Sequence, residues 1–138
     1  MTSPGTIGVA VAVVSRCSHT GQQEFLVGRR ADDAVDGPGL DEFPGGKIET
    51  DETPAEAAAR ECLEESGLEV LIGEVLDRAL GTCKAGTIEV WFLAATPVDN
   101  RPPLPPFTWL TADQLPALNF PETNRAVLAV LQARHQQS

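Results

Sequence analysis

The sequence is short of positive charge, of cysteine and of long apolar runs, and each shortage removes a class of function. Only 10 Lys and Arg stand against 20 Asp and Glu, a formal charge of −10. A surface of that sign repels the phosphates of DNA and RNA, so no nucleic acid polymer is expected as a partner. The 3 cysteines, Cys17, Cys62 and Cys83, are odd in number and far apart, with no C-x-x-C pair and no histidine cluster. Neither a disulfide framework nor a zinc site follows from them. No window approaches the roughly 18 uninterrupted apolar residues of a membrane span. The apolar stretch at residues 7–14 is too short for a span and too poor in preceding basic residues for a secretory signal. The expectation is a cytoplasmic protein with no membrane partner.

What is present is globular composition: 42% hydrophobic and 22% charged over 138 residues, with a mean hydropathy of −0.09. That length suits one self-sufficient core, so a single domain over 1–138 is expected. The acids, however, are unevenly spread. Glu49, Asp51, Glu52, Glu56, Glu61, Glu64 and Glu65 crowd into seventeen residues, relieved only by Arg60. That density needs either solvent or a cation.

Residues 6–14 are β-branched and apolar enough for a central strand, and 24–30 read as its hairpin partner. Residues 31–46, punctuated by Gly37-Pro38-Gly39 and Pro44-Gly45-Gly46, read as a long loop without regular structure. The clearest helix follows. Thr53 is placed to cap it, Pro54 to open it, Glu56 to complete a capping box, and Gly67 to stop it after Ser66. Two strands are expected at 69–80 and 87–96, separated by 81–86, and a short one at 107–110. Residues 99–106, with 4 prolines in eight positions, suit neither a central strand nor a helix. A last helix is expected over 123–134. The whole reads as a mixed α and β domain in which strands dominate.

On the central helix Glu61, Glu64 and Glu65 fall at i, i+3 and i+4, so their carboxylates share one face. Like charges at that spacing cost about a few tenths of a kcal/mol each, and Arg60 offsets only part of that. Two readings are open: a solvated acidic face, or a site for hard Mg²⁺ or Mn²⁺, which takes oxygen ligands and bridges carboxylates to phosphates.

The flanking residues carry a resemblance. Gly46, five residues, Glu52, seven residues, then Arg60-Glu61-Cys62-Leu63-Glu64-Glu65-Ser66-Gly67-Leu68 resembles the Nudix box, the signature of hydrolases that cleave nucleoside diphosphates linked to another moiety. Cys62 departs from the aliphatic residue usual there; small, apolar and on the core side, it bears on packing rather than catalysis. The run Glu42-Phe43-Pro44-Gly45-Gly46-Lys47-Ile48-Glu49 is similar to the MutT-like branch, as are Gly28-Arg29-Arg30-Ala31-Asp32 and Phe120-Pro121-Glu122-Thr123-Asn124. That branch hydrolyses nucleoside triphosphates, notably oxidised guanine nucleotides, to monophosphate and pyrophosphate. The likeness spans about residues 6–131. It implies an α/β (α+β) fold, the Nudix-type α/β/α sandwich with a mixed β-sheet between helices.

Carried over residue by residue, the resemblance makes Glu61, Glu64 and Glu65 ligands of Mg²⁺, or of Mn²⁺, joined by the backbone carbonyl of Gly45. Glu52 would support that shell or position water, and Arg60 would hold the carboxylates through bidentate hydrogen bonds. Catalysis thus falls to Glu52, Arg60, Glu61, Glu64 and Glu65, acting on a small-molecule nucleoside di- or triphosphate derivative by attack of water at phosphorus. In MutT-like relatives a glutamate in a loop well after the box also serves. The corresponding residues 100–106 hold no acid, leaving Asp99, Glu61 and Glu52 as open candidates for the base.

Arg30, Phe43 and Asn124 are the substrate-binding candidates, each with a plainer reading beside it. Asn124 resembles the asparagine that reads the purine edge in MutT, and its amide donates and accepts together; it is equally placed near a helix cap. Arg30 meets phosphate or base, or else pairs with Asp32 and Asp33 at a hairpin end. Phe43 stacks on a base, or lies buried beside the sheet. Trp91 and Phe92 alternate on a strand, so one is expected in the core and the other toward the cleft. Gly86 stands where MutT has an arginine near the base, with Lys84 the only cation close by. The remaining readings are a Nudix hydrolase of ADP-ribose, nucleotide sugars or dinucleoside polyphosphates, a non-catalytic nucleotide-sensing module, and an acidic Ca²⁺-binding domain. The last lacks the alternating loop ligands of an EF-hand.

Overall fold

In a computed structural model of the chain, which describes residues 5–136, alternation along the first strand decides the layering. The ends of the expected 1–138 domain lie outside the described residues. Strand β1 (Thr6–Cys17) sends Ala10, Ala12 and Val14 into one core with Ala57, Ala58 and Cys62. Val13, flanked by Val9 and Val11, joins a second core with Phe92, Val127 and Leu131. A strand buried on both faces needs cover on each. The chain supplies it as helix α1 (Pro54–Ser66) on the first face and helix α2 (Arg125–Gln136) on the second.

The other strands are β2 (Gln23–Arg29), β3 (Asp41–Glu42), β4 (Gly45–Lys47), β5 (Val70–Cys83), β6 (Gly86–Pro97) and β7 (Thr108–Thr111). The sheet runs β3-β2-β1-β6-β5, with β4 added to β1 and β7 to β2. β1 and β6 are parallel, whereas the remaining pairs are antiparallel. This is the expected α/β/α sandwich with a mixed sheet.

α1 begins and ends where its sequence says. Thr53 Oγ1 accepts from Glu56 N at 3.1 Å, Glu56 Oε1 accepts from Thr53 N at 2.9 Å, and Gly67 closes the helix at φ 76°. Cys62 is fully buried on its core side, and burial pushes its thiol pKa up. The proline-rich segment after β6 packs on the far end of this helix: Leu104 N donates to Ser66 O at 2.8 Å.

The structure departs from the sequence expectations at several places. Residues 31–46 are not wholly irregular, because β3 and β4 form within and across their end. The glycines of Pro44-Gly45-Gly46, expected as loop punctuation and for close approach of the backbone to a metal, also let β4 lie against β1: a Cβ at Gly45 would lie 2.6 Å from Ala10 O. β5 continues to Cys83 and turns through Lys84 and Ala85 alone, so 81–86 is mostly strand. A short 3₁₀ helix at Ala112–Ala117 was not foreseen, and α2 starts at Arg125, after a 3₁₀ turn at Glu122–Asn124.

Candidate active site

The antiparallel pairing of β4 with β1, Gly45 opposite Val11 and Gly46 opposite Ala10, brings the residues before α1 against the helix's acidic face. Glu65 Oε1 accepts from Gly45 N at 3.0 Å. A Cβ on Gly46 would fall within 2.7 Å of all three atoms of the Glu61 carboxyl group, so only glycine leaves that group room. Arg60 ties the rest together. Its Nε and Nη2 donate to the two oxygens of Glu52 at 2.7 and 3.0 Å, a bidentate pair, while Nη2 also donates to Lys47 O at 3.0 Å. Nη1 reaches Glu61 Oε1 at 3.0 Å and Glu64 Oε2 at 3.3 Å. One guanidinium thus holds three carboxylates of like charge in register.

The electrostatics follow from those contacts. The hydrogen bonds from Arg60, then that from Glu49 N, hold the Glu52 carboxyl below the usual carboxylate range. The hydrogen bonds to Glu52 and then Glu61, with the charges of Glu49 and Glu52, raise the pKa of Arg60. Glu65 is pushed up to about 7, by burial above all and then by the charges of Glu42, Glu61 and Glu64, against the hydrogen bond from Gly45. Burial also raises Glu42, against its pairing with Arg30.

A cleft of about 960 Å³ opens beside this cluster. Gly45, Gly46, Lys47, Arg30 and Glu42 line one end, and Gly81, Ile88, Thr123 and Asn124 the other. Arg30 does not pair with Asp32 or Asp33. Its Nε donates to Glu42 Oε1 at 3.2 Å and its Nη1 to Asp36 O at 2.9 Å, and all three residues line the cleft. Phe43 lies in the wall, 3% exposed and stacked on Phe120 with ring centroids 4.8 Å apart. Asn124 is 6% exposed, and its Oδ1 lies 3.5 Å from Thr123 Oγ1. Phe92 is in the core as expected, but Trp91 is not in the cleft: it lies on the α1 face beneath the guanidinium of Arg78 at 3.9 Å. Asp99 is also outside the cleft lining, chelated by Arg101 at 2.8–3.1 Å. Those bonds hold its carboxyl below the usual range.

Residues 6–131 match the NUDIX domain family. The chain belongs to the Nudix family. It is 34% identical over 111 residues to the 8-oxo-dGTP diphosphatase of Escherichia coli (strain K12), an alignment covering 78% of this chain and 85% of that protein. Among solved structures, a MutT protein from Methanosarcina mazei Go1 superposes with a TM-score of 0.77 over 99% of both chains at 18% identity. An Ap4A hydrolase from C. elegans gives a TM-score of 0.78 over 96% of this chain and 99% of that one, also at 18% identity. Likeness at such identity shows the fold alone. The chain is a MutT-like Nudix hydrolase, of the class acting on pyrophosphate bonds, whose homologues act on small nucleotides.

Nudix hydrolases generally use divalent metal ions. Among the described residues, no three His, Cys, Asp or Glu side chains already surround one point. The contacts explain why: Arg60 Nη1 occupies the space between Glu61 and Glu64, and Glu65 is turned onto Gly45 N. The donor set of this Nudix box nevertheless fits such an ion, since it is all oxygen, crowded with like charge, and backed by a bare Gly46. Among the described residues no helix is long and apolar enough to cross a membrane.

Proposed function

We propose that this Nudix hydrolase is a Mg²⁺-dependent, MutT-like nucleoside triphosphate pyrophosphohydrolase that releases nucleoside monophosphate and pyrophosphate, with oxidised or non-standard nucleotides among its substrates. The observation that carries the reading is one cleft joining the carboxylate cluster's Gly45 and Gly46 to the buried amide of Asn124. Charge at one end suits polyphosphate, and apolar walls with one bifunctional amide at the other suit a base. The 34% identity to an 8-oxo-dGTP diphosphatase supports the same substrate class.

Glu61, Glu64, Glu65 and the carbonyl of Gly45 would hold the Mg²⁺, with Mn²⁺ able to replace it. When bound, the ion supplies charge neutralisation of the polyphosphate and an acidified water. Arg60 keeps the carboxylates assembled and anchors Glu52 for positioning water. Arg30, braced by Glu42 and Asp36, has donors left for phosphate. Phe43 supports the wall of the cleft against Phe120. The Asp99 carboxylate is already engaged by Arg101, so Glu52 and Glu61, which belong to the carboxylate cluster, are the better candidates for the base.

The test is a hydrolysis panel with Mg²⁺ containing the nucleoside triphosphates, 8-oxo-dGTP, ADP-ribose and a dinucleoside polyphosphate, with products separated by chromatography. Monophosphate plus pyrophosphate from a triphosphate is the expected result. Turnover of ADP-ribose or the dinucleotide alone would overturn the substrate class and keep the Nudix chemistry. Nucleotide binding without turnover anywhere would turn the enzyme reading into a sensor.

A further inference from the structure

Gly81 lies inside strand β5, paired with Ile88, and its backbone is not in the left-handed region. Conformational freedom therefore does not explain a glycine there. Space does. A Cβ at this position would overlap the Cγ2 methyl of Thr123, with Ile88 Cγ1 a further 3.6 Å contact. Thr123 belongs to the 3₁₀ turn Glu122–Asn124, which packs on β5 at this point. Asn124, the next residue, is held by its N–H to Pro121 O at 2.9 Å and sits 3.5 Å from the Thr123 hydroxyl. The β-branched Thr123 side chain is stiff, so its methyl cannot swing clear without moving its hydroxyl away from Asn124. Gly81, Thr123 and Asn124 all line the cleft.

We infer that Gly81 is a positioning residue for nucleobase discrimination: its missing side chain is the seat on which the 122–124 turn rests, and any side chain there lifts Asn124 off the base. The inference rests on the proposed role of Asn124 in reading the base. It adds a residue on a distant strand that touches base recognition only through the turn and leaves the carboxylate cluster alone.

The experiment measures dissociation constants of dGMP, 8-oxo-dGMP, dAMP and dCMP by titration calorimetry for the parent, Gly81→Ala, Asn124→Ala, and Gly81→Ala combined with Thr123→Ser. The serine keeps the hydroxyl and removes the obstructing methyl. Gly81→Ala is expected to narrow the spread between the best and worst base about tenfold, the size of one lost hydrogen bond of good geometry. The double variant is expected to restore the spread, which a general loss of packing at β5 would not do. A parent-like spread in Gly81→Ala, or no rescue by Thr123→Ser, overturns the inference. Should the alanine prevent folding, recovery of a folded, discriminating double variant supports the inference, and its failure to fold overturns it. The Asn124→Ala arm separates the two ideas. An unchanged spread there removes Asn124 as the base reader, and a parent that binds all four nucleotides alike removes both.

Discussion

The two ends of the cleft are built on different principles. At the acidic end, Arg60 contacts Glu52, Glu61, Glu64 and the carbonyl of Lys47, and the whole carboxylate cluster lies between Gly45 and Glu65. Helical spacing, a capping box and two glycines fix that geometry over a short stretch of chain. At the other end, β1, β5, β6 and the 122–124 turn each contribute two to five residues, mostly apolar, around one amide. The lesson is a division of labour: local charge geometry for the chemistry all such substrates share, and long-range packing for telling bases apart. Substitutions at the acidic end should therefore remove turnover, and those at the packed end should alter preference.

The largest effect is expected for Glu65→Gln. Its amide oxygen can still accept from Gly45 N, so the fold should persist while turnover falls by about two orders of magnitude or more; unchanged kcat would remove the metal-site assignment. Arg60→Lys comes next. A lysine cannot grip Glu52 bidentately or bridge Glu61 and Glu64, and a loss of about 10–100-fold in kcat or Mn²⁺ affinity is expected. A fully active lysine variant would show that Arg60 acts only as a counter-charge.

At the other end, Asn124→Ala should compress the kcat/KM preference among bases by about tenfold with hydrolysis retained. A uniform loss on all nucleotides would give Asn124 a structural role instead. The smallest effect concerns pH and the metal-free protein. Glu65, raised from 4.5 to about 7 in the fold, binds its proton more tightly folded than unfolded. The stability this contributes is fully present below about pH 4.5 and is lost as pH rises through about 7. Urea melts in chelator across that window should show the decline, with Glu65→Gln flatter. Equal slopes for the two proteins would contradict the burial of this carboxyl.

The same contrast explains what the sequence made legible. Thr53, Pro54, Glu56 and Gly67 located α1 to the residue because caps are local hydrogen bonds. The burial of Cys62 followed from its helical position alone. By contrast, the pairing of Gly45–Lys47 with β1 is not legible in Pro44-Gly45-Gly46, because a glycine that lets two strands touch looks the same in sequence as one that serves a loop. Of the two readings of Arg30, the pairing with acids two and three residues away is replaced by one with Glu42, twelve residues on, which β2–β3 pairing brings close. The role of Gly81 was invisible for the same reason: the atom that excludes a side chain there belongs to Thr123, on another element.

The most direct test of the division between the two ends is a pair of ¹⁵N NMR titrations on one labelled sample, first with substoichiometric Mn²⁺ and then with dGMP in the absence of metal. Mn²⁺ is expected to broaden the amides of Gly45, Gly46 and residues 61–65 before any at the packed end, and dGMP to shift the side-chain amide of Asn124 and the backbone of Gly81. Mn²⁺ broadening centred elsewhere, or dGMP shifts that bypass Asn124 and Gly81, would contradict that division.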